Sequence, residues 1–453
     1  MEIEEIFNNY ESKARSYCRR FPVIFRNGIG STLIDIDGKS YIDFLCGAGA
    51  LNYGHNNTII KQQILKYIQD DGIILGLDLY SEAKMEFIST FVDKILKPRQ
   101  LEYRLQFTSP TGTSVIESAV KLARKYTKRE NIVCFTNAFH GMTGVSLSLT
   151  GSQHHRQPGL YSQITRLPFD GYIDGEFDYI GYFRKLLTDP SSGVDLPAAV
   201  ILETVQGEGG LNVASIEWLR ALRKLTEEFN ILLIVDDIQS GCGRTGTFFS
   251  FERANIKPDL VCLSKSIGGI GLPMSLLLIS PDIDVWKPAE DNGTFRGNNL
   301  AFVASKAMLN EYWGDSSFQK IIQHKAELIR TYLNSLVEKY HEFVLRVKGI
   351  GFMQGIEMAD SSLTQYLVKH CFENGLIVEL CGPNDEVLKL MPALTIDEDT
   401  LVKGLKIIEQ ALASLKSRTS LESRTSLESR TNLKSRNSNN CESEVQRLSV
   451  SSN

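Results

Sequence analysis

Residues 231–241 read ILLIVDDIQSG. Five apolar residues, Ile231 to Val235, run without alternation into two aspartates and a turn. A short unbroken apolar run of this kind suits a strand buried on both faces of a parallel sheet. Strand-like runs of similar character stand at 103–108 (YRLQFT), 131–136 (NIVCFT), 198–205 (AAVILETV), 260–263 (LVCL) and 274–280 (MSLLLIS). Helix patterns lie between several of them. SVIESAVKLARKYTK follows Thr113, with apolar residues at 115, 116, 119, 120, 122 and 123, and IEWLRALRKLTEEF runs from Ile216 to Phe229. Continuous strands alternating with helices predict an α/β domain with a mostly parallel sheet. Ligands of such sheets sit at the carboxyl ends of the strands, so the turns at those ends should carry the chemistry.

Beyond this domain, 303–340 is largely helical. The stretches RVKGIGFMQGIEM, LIVEL and VLKLMPALTI and a helix at about 398–415 then predict a smaller α+β domain. From Ser417 the chain reads SRTSLE, SRTSLE, SRTNLK, SRNSNN. Residues 416–453 hold 11 Ser and 7 apolar residues, too few to offset the entropy of ordering, and are expected to be a disordered repeat tail.

The whole chain has 453 residues, 42% hydrophobic and 23% charged, which excludes collagen-like and wholly disordered classes. Its net charge of −5 gives no general attraction to nucleic acid or anionic membrane. No apolar run reaches the roughly 18 residues of a membrane span. The start, MEIEEIFNNYESKARSYCRR, has neither the basic residues nor the apolar stretch of a secretory signal. Eight scattered cysteines form no Cys-x-x-Cys and no zinc spacing, and read as reduced cytoplasmic thiols, with no metal site.

Four strand ends hold candidate chemistry. Ser109–Ser114 (SPTGTS) leads into a helix, where free N–H groups make an anion cradle; a plain N-cap explains it equally well. Asn137–Gly141 (NAFHG) offers an aromatic face and a histidine, or only a packed loop. In Val235–Gly241, Asp236 and Asp237 point to opposite sides of their strand, so only one of them faces a given pocket. Lys265, just past LVCL, between Ser264 and Ser266 and close to two glycines, is either a solvated loop residue or a desolvated amine with a lowered pKa. Gly241–Gly246 matches G-x-G-x-x-G, yet two aspartates precede it and TFFSFERA is a poor long helix, so a dinucleotide site is not expected. Together the four ends supply a phosphate cradle, a stacking ring, an anion and an amine. Pyridoxal phosphate needs each: for its phosphate, its ring face, its pyridine nitrogen and its aldehyde.

These motifs are familiar as a set. Over nearly all of residues 1–415 the chain resembles the class III pyridoxal-phosphate aminotransferases of fold type I. PTGTSVIESAVKLAR, FTNAFHGMT, LETVQGEGG, IVDDIQSGCGRTG, LSKSIGG and GTFRGNN occur in family order. FPVIF, YIDFLCGAGALNYGHNN, GLPMSLLLI and WKPAEDNGTFRGNNLAF are similar to the branch that works on diaminobutyrate and 2-oxoglutarate. The resemblance implies a large domain (61–310) with a mostly parallel, seven-stranded type of sheet. A small α+β domain would be built from both chain ends (1–60 and 311–415). It implies Lys265 as the amine that bonds the cofactor and moves the proton, and Asp236 as partner of the pyridine nitrogen. Gln239 would face the ring hydroxyl, Gly112 and Thr113 the phosphate, and Phe139 the ring, with His140 supporting that loop. Thr294 would complete the phosphate site of a neighbouring subunit, making the enzyme a homodimer or higher oligomer. Glu208 would be a gate carboxylate, paired with Lys389 when an ω-amine enters.

Two positions depart from the family. Lys389 stands where many ω-aminotransferases have Arg, and a lysine binds a carboxylate as a point charge, not as a fork. Met142 stands where ornithine-type enzymes have Arg. Arg26 and Arg156 are candidates for the distal carboxylate of 2-oxoglutarate. The expected reaction moves the 4-amino group of L-2,4-diaminobutyrate to 2-oxoglutarate. The alternatives are an ω-aminotransferase for 4-aminobutyrate, ornithine or lysine, an aminomutase on the same cofactor, or a non-catalytic binding protein.

Overall fold

The 231–241 stretch forms the centre of a seven-stranded sheet in the computed structural model, which describes residues 3–156 and 163–418. In chain order its strands are β1 (Arg104–Phe107), β2 (Ile132–Phe135), β3 (Ile164–Leu167), β4 (Ala199–Leu202), β5 (Leu232–Asp236), β6 (Leu260–Leu263) and β7 (Leu276–Ile279). The spatial order is β1-β7-β6-β5-β4-β2-β3. β5 runs parallel to β4 and β6, and β2 runs parallel to β3 and β4. β7 alone runs against its neighbours β6 and β1.

Every residue of β2, β4, β5, β6 and β7 is buried, which is why these strands read as unbroken apolar runs. β3 (ITRL) escaped the sequence reading. It is four residues long, carries Arg166 and lies at the sheet edge, so burial on one side only leaves no apolar run.

The helix Gly112–Thr127 begins at Thr111, whose side chain accepts the Ser114 N–H. It ends at Lys128, in left-handed conformation, with Arg124 and Lys125 in the last turn where they favour the dipole. Val115, Ile116, Ala119, Val120, Leu122 and Ala123 are buried in one cluster with residues of β2, β4, β5, β6 and β7. Each fully buried Val, Leu or Ile is worth about 1.5–3 kcal/mol. That packing fixes the helix start, and hence Gly112 and Thr113, at the strand ends.

Residues from both ends of this part of the chain share one sheet. Strands 25–29, 32–35 and 40–43 form an antiparallel meander, and Leu376–Ile377 adds to it parallel to 40–43. A second four-stranded antiparallel sheet joins Val344–Ile350, Met353–Met358, Val387–Leu390 and Glu379–Cys381 in that order. Helices Asn299–Tyr312 and Ser317–Lys339 account for the helical stretch expected at 303–340. Residues up to Leu405 form one compact unit and a second begins at Lys406. The closing helix covers 398–418, and the repeat tail from 419 onward lies outside the described residues.

No helix among the described residues is long and apolar enough to cross a membrane. Seven cysteines are free, Cys441 lying outside the described residues. Among the described residues no cluster of His, Cys, Asp and Glu could hold a metal.

Candidate active site

Lys265 follows β6 after Ser264 and has a left-handed backbone, φ +54°, a conformation that costs a non-glycine residue energy. Its amine makes no hydrogen bond or ion pair among the described residues. Burial pushes its pKa below the ordinary lysine value, against the pull of Glu208. The charges of Lys389, Glu379 and Asp236, all distant in sequence, also act on this amine.

Asp236 closes β5 and is 4% exposed. Its Oδ2 lies 2.8 Å from Nδ1 of His140, and its Oδ1 accepts the N–H of Ile238 at 3.2 Å. Asp237 faces the other way, as strand geometry requires: Ser240 Oγ and the Ser250 N–H bond its carboxylate. Burial pushes the Asp237 carboxyl up to about 6.

The cradle lies beside these strand ends. The N–H groups of Gly112 and Thr113 have no acceptor among the described residues. A side-chain carbon on Gly112 would come within 3.3 Å of Ile238 and 4.0 Å of Ser264, so the helix start sits over the turns after β5 and β6. Thr113 Oγ1 is already engaged by Thr143 Oγ1 at 3.0 Å and by Ser146 Oγ. Thr294 lies exposed in the 293–297 turn; a side chain on neighbouring Gly293 would meet Ser109 Oγ at 3.0 Å.

Glu203 ties two loops together. Its Oε2 accepts the Phe139 N–H at 3.0 Å and its Oε1 accepts the Gly207 N–H at 3.2 Å. Burial pushes its carboxyl up to about 7, against the pull of His140. Within LETVQGEGG the sequence signal points to Glu208, but Glu203 carries one as well, a carboxylate at the end of a fully apolar strand. The glycines of that motif answer to close approach. A side chain on Gly209 would strike the Asn137 carbonyl at 2.2 Å, and one on Gly207 would strike Gln239.

Lys389 is fully buried. Its Nζ lies 2.8 Å from Glu208 Oε1 and 3.2 Å from Glu379 Oε2. Gln239 Nε2 donates to the same Glu208 oxygen at 3.1 Å and to the Ala48 carbonyl at 3.0 Å. Burial alone would raise the Glu208 carboxyl, but the Lys389 and Lys265 charges hold it down at about 2. Burial works against the Lys389 ammonium, yet its two carboxylates keep its pKa well above the usual lysine value. Glu379 escaped the sequence reading, although an acidic residue inside LIVELC is its own signal. Met142, Arg26 and Arg156 are all exposed.

The structure therefore brings Lys265, Asp236, His140, Gln239, Glu208 and Lys389 to one place, with Gly112 over the adjoining turns. Two buried atoms there have no partner, His140 Nε2 and Gln239 Oε1. Free helix N–H groups, a buried carboxylate and an unbonded amine form a donor set that fits pyridoxal phosphate.

The class III aminotransferase family model matches residues 14–412. The diaminobutyrate–2-oxoglutarate transaminase of Vibrio cholerae is 52% identical over 412 residues, covering 90% of this chain and 99% of that protein. That of Bordetella parapertussis is 50% identical over 416 residues, covering 91% and 96%. An S-selective transaminase from Bacillus megaterium superposes with a TM-score of 0.82 at 23% identity, over 92% of this chain and 98% of its own. The ornithine aminotransferase of Toxoplasma gondii gives 0.79 at 23% identity, over 92% and 95%. At those identities the two structures speak for the fold alone, and that fold is type I. The sequence match spans most of the chain, and the chain belongs to the class III aminotransferases, enzymes that work with pyridoxal phosphate.

Proposed function

We propose that this enzyme moves the 4-amino group of L-2,4-diaminobutyrate to 2-oxoglutarate, giving L-aspartate 4-semialdehyde and L-glutamate, reversibly. The relatives just named carry out that exchange by name, at half identity over nine-tenths of the chain. The observation that carries the reading is the Glu208–Lys389 pair beside Lys265. Glutamate presents a carboxylate next to its reacting amine and needs a cation there. Diaminobutyrate reacts through its distal amine and presents none, and an unpaired ammonium in a dry pocket is costly. Glu208 pairs with Lys389 for one substrate and parts from it for the other.

The remaining roles are those that the family resemblance implies. Bound pyridoxal phosphate supplies an aldehyde that takes up the amino group and a protonated pyridine that draws off electrons. Gly112 and Thr113 would hold the phosphate through their N–H groups, and Phe139 would cover the ring. His140 orients Asp236, which would keep the proton on the ring nitrogen, and Gln239 would serve the ring hydroxyl. Lys265, unbonded and with a lowered pKa, carries the proton released from the substrate carbon.

Glu208→Gln tests the gate. In single-turnover measurements the diaminobutyrate half-reaction should slow at least tenfold more than the glutamate half-reaction. Equal losses in both would reject the gate and leave a fixed structural pair. Steady-state kinetics should show the parallel lines of a ping-pong mechanism.

The enzyme works, on this reading, in the cytoplasm and as a homodimer or higher oligomer in which Thr294 serves the partner's phosphate site. Supporting the oligomer, Ile73, Ile74, Leu75, Leu79, Tyr80 and Phe295 are all exposed, an apolar stretch costly to leave in water. A monomer by light scattering at working concentration would remove this part of the proposal.

A further inference from the structure

Lys389 has two carboxylates, and they are not equivalent. Glu379 lies directly across from it in the sheet register, Glu379 opposite Lys389. Its side chain is 5% exposed, whereas that of Glu208 is 34% exposed. Glu208 stands in the turn between Gln206 and Asn212, and Glu379 within a strand. The second oxygen of Glu379 is held as well: Tyr17 Oη donates to Oε1 at 3.0 Å. Glu379 is thus held inside a buried strand by the Lys389 charge and the Tyr17 hydroxyl, although its Oε2 makes no hydrogen bond, whereas Glu208, in a turn and more exposed, has more room to move.

Counting charges gives the consequence. With Glu208 in place the cluster Glu208–Lys389–Glu379 carries one net negative charge beside Lys265. With Glu208 withdrawn it is neutral, because Glu379 remains on Lys389. A substrate carboxylate arriving at Lys389 never meets a bare cation and must share it with Glu379. A diamino acid carries one positive charge more than a simple amino acid, and it approaches a site that is negative in its resting state. We propose that Glu379 is a specificity-determining residue, held in place by Tyr17, that biases the site toward the cationic diamino substrate and against the dicarboxylate one. This rests on the gate reading above and adds to it a bias that a single Glu208–Lys389 pair does not contain.

Glu379→Gln keeps size and shape and removes the charge. In the holoenzyme the KM for 2-oxoglutarate should fall about tenfold, a change expected for one nearby charge in a partly dry site. The KM for diaminobutyrate should rise by a similar factor, with kcat changing much less than either. Glutarate, a dicarboxylate with no amino group to react, should bind the variant about tenfold more tightly by calorimetry. Tyr17→Phe, which removes only the hydroxyl of a half-exposed ring, should move the KM ratio the same way by a smaller factor. It serves as the test if Glu379→Gln does not fold. The proposal is overturned if both KM values rise together with a lower melting temperature, or if the ratio is unchanged in the variants. A Glu208→Gln enzyme that still separates the two half-reactions would then leave the gate standing without Glu379. Equal losses in Glu208→Gln beside a shifted ratio in Glu379→Gln would remove the gate and keep the bias.

Discussion

Lys265→Ala is expected to lower the transamination rate by at least about 10⁴-fold, because one amine serves as both nucleophile and proton carrier. The fold should not suffer. Alanine keeps the Cβ, so the left-handed backbone at this position is no more strained than in the parent. The amine makes no bond among the described residues that its removal would break. The cradle at Gly112 and Thr113 belongs to a different element, so affinity for the cofactor through its phosphate should remain. Adding pyridoxal phosphate to the variant and measuring retention separates the two effects. A variant that turns over like the parent would mean that another residue holds the central role.

Arg244→Ala is expected to destabilise the protein by about 3–5 kcal/mol, because it removes several buried hydrogen bonds and a large buried side chain. Arg244 has no exposed surface. Its Nη1 donates to the Phe352 carbonyl at 3.2 Å and the Pro392 carbonyl at 2.5 Å, and its Nη2 donates to Asn52 Oδ1. Truncation leaves three buried acceptors, each costing about 1–3 kcal/mol if unmet, plus a cavity the size of the side chain. The denaturant midpoint reads this directly. A loss under about 1 kcal/mol would show that water fills the hole and meets the carbonyls. Packing around the same turn explains why Gly241–Gly246 imitates a dinucleotide motif. Gly243 has φ +94° and lies under Trp313, where a side-chain carbon would come within 2.8 Å. The glycines there answer to the close approach of Asp237, Trp313 and Leu394, not to a pyrophosphate.

The central strands were readable because burial on both faces demands unbroken apolar runs. β3 was not, because ITRL is only partly buried and carries Arg166, which breaks the apolar run. The strand-end residues were readable as chemistry types, and their convergence on one place followed from the rule for parallel sheets. Glu203, Glu379 and Tyr17 were missed for a different reason. Glu203 reaches back to Phe139 and Tyr17 reaches forward to Glu379, both far away in the chain, and Glu379 meets Lys389 only once their two strands pair. Spacing along one strand holds no information about which loop will be folded against it.

The strand that feeds the cradle, β1, has a single neighbour in its sheet. That neighbour is β7, with Phe107 opposite Leu276 and Arg104 opposite Ile279. During synthesis, residues 104–107 leave the ribosome long before residues 276–279, and until then β1 has no partner for its ladder. Pairings so far apart in sequence carry a large loop-closure cost and form slowly. The amine strand, β6, can by contrast dock on β5 almost as soon as it appears. The sheet is therefore expected to assemble from its centre outward, with the anchoring of β1 as its last step. Protection of the 104–107 amides against hydrogen exchange would then appear after that of β5, and cofactor capture would report completion of the fold rather than its beginning.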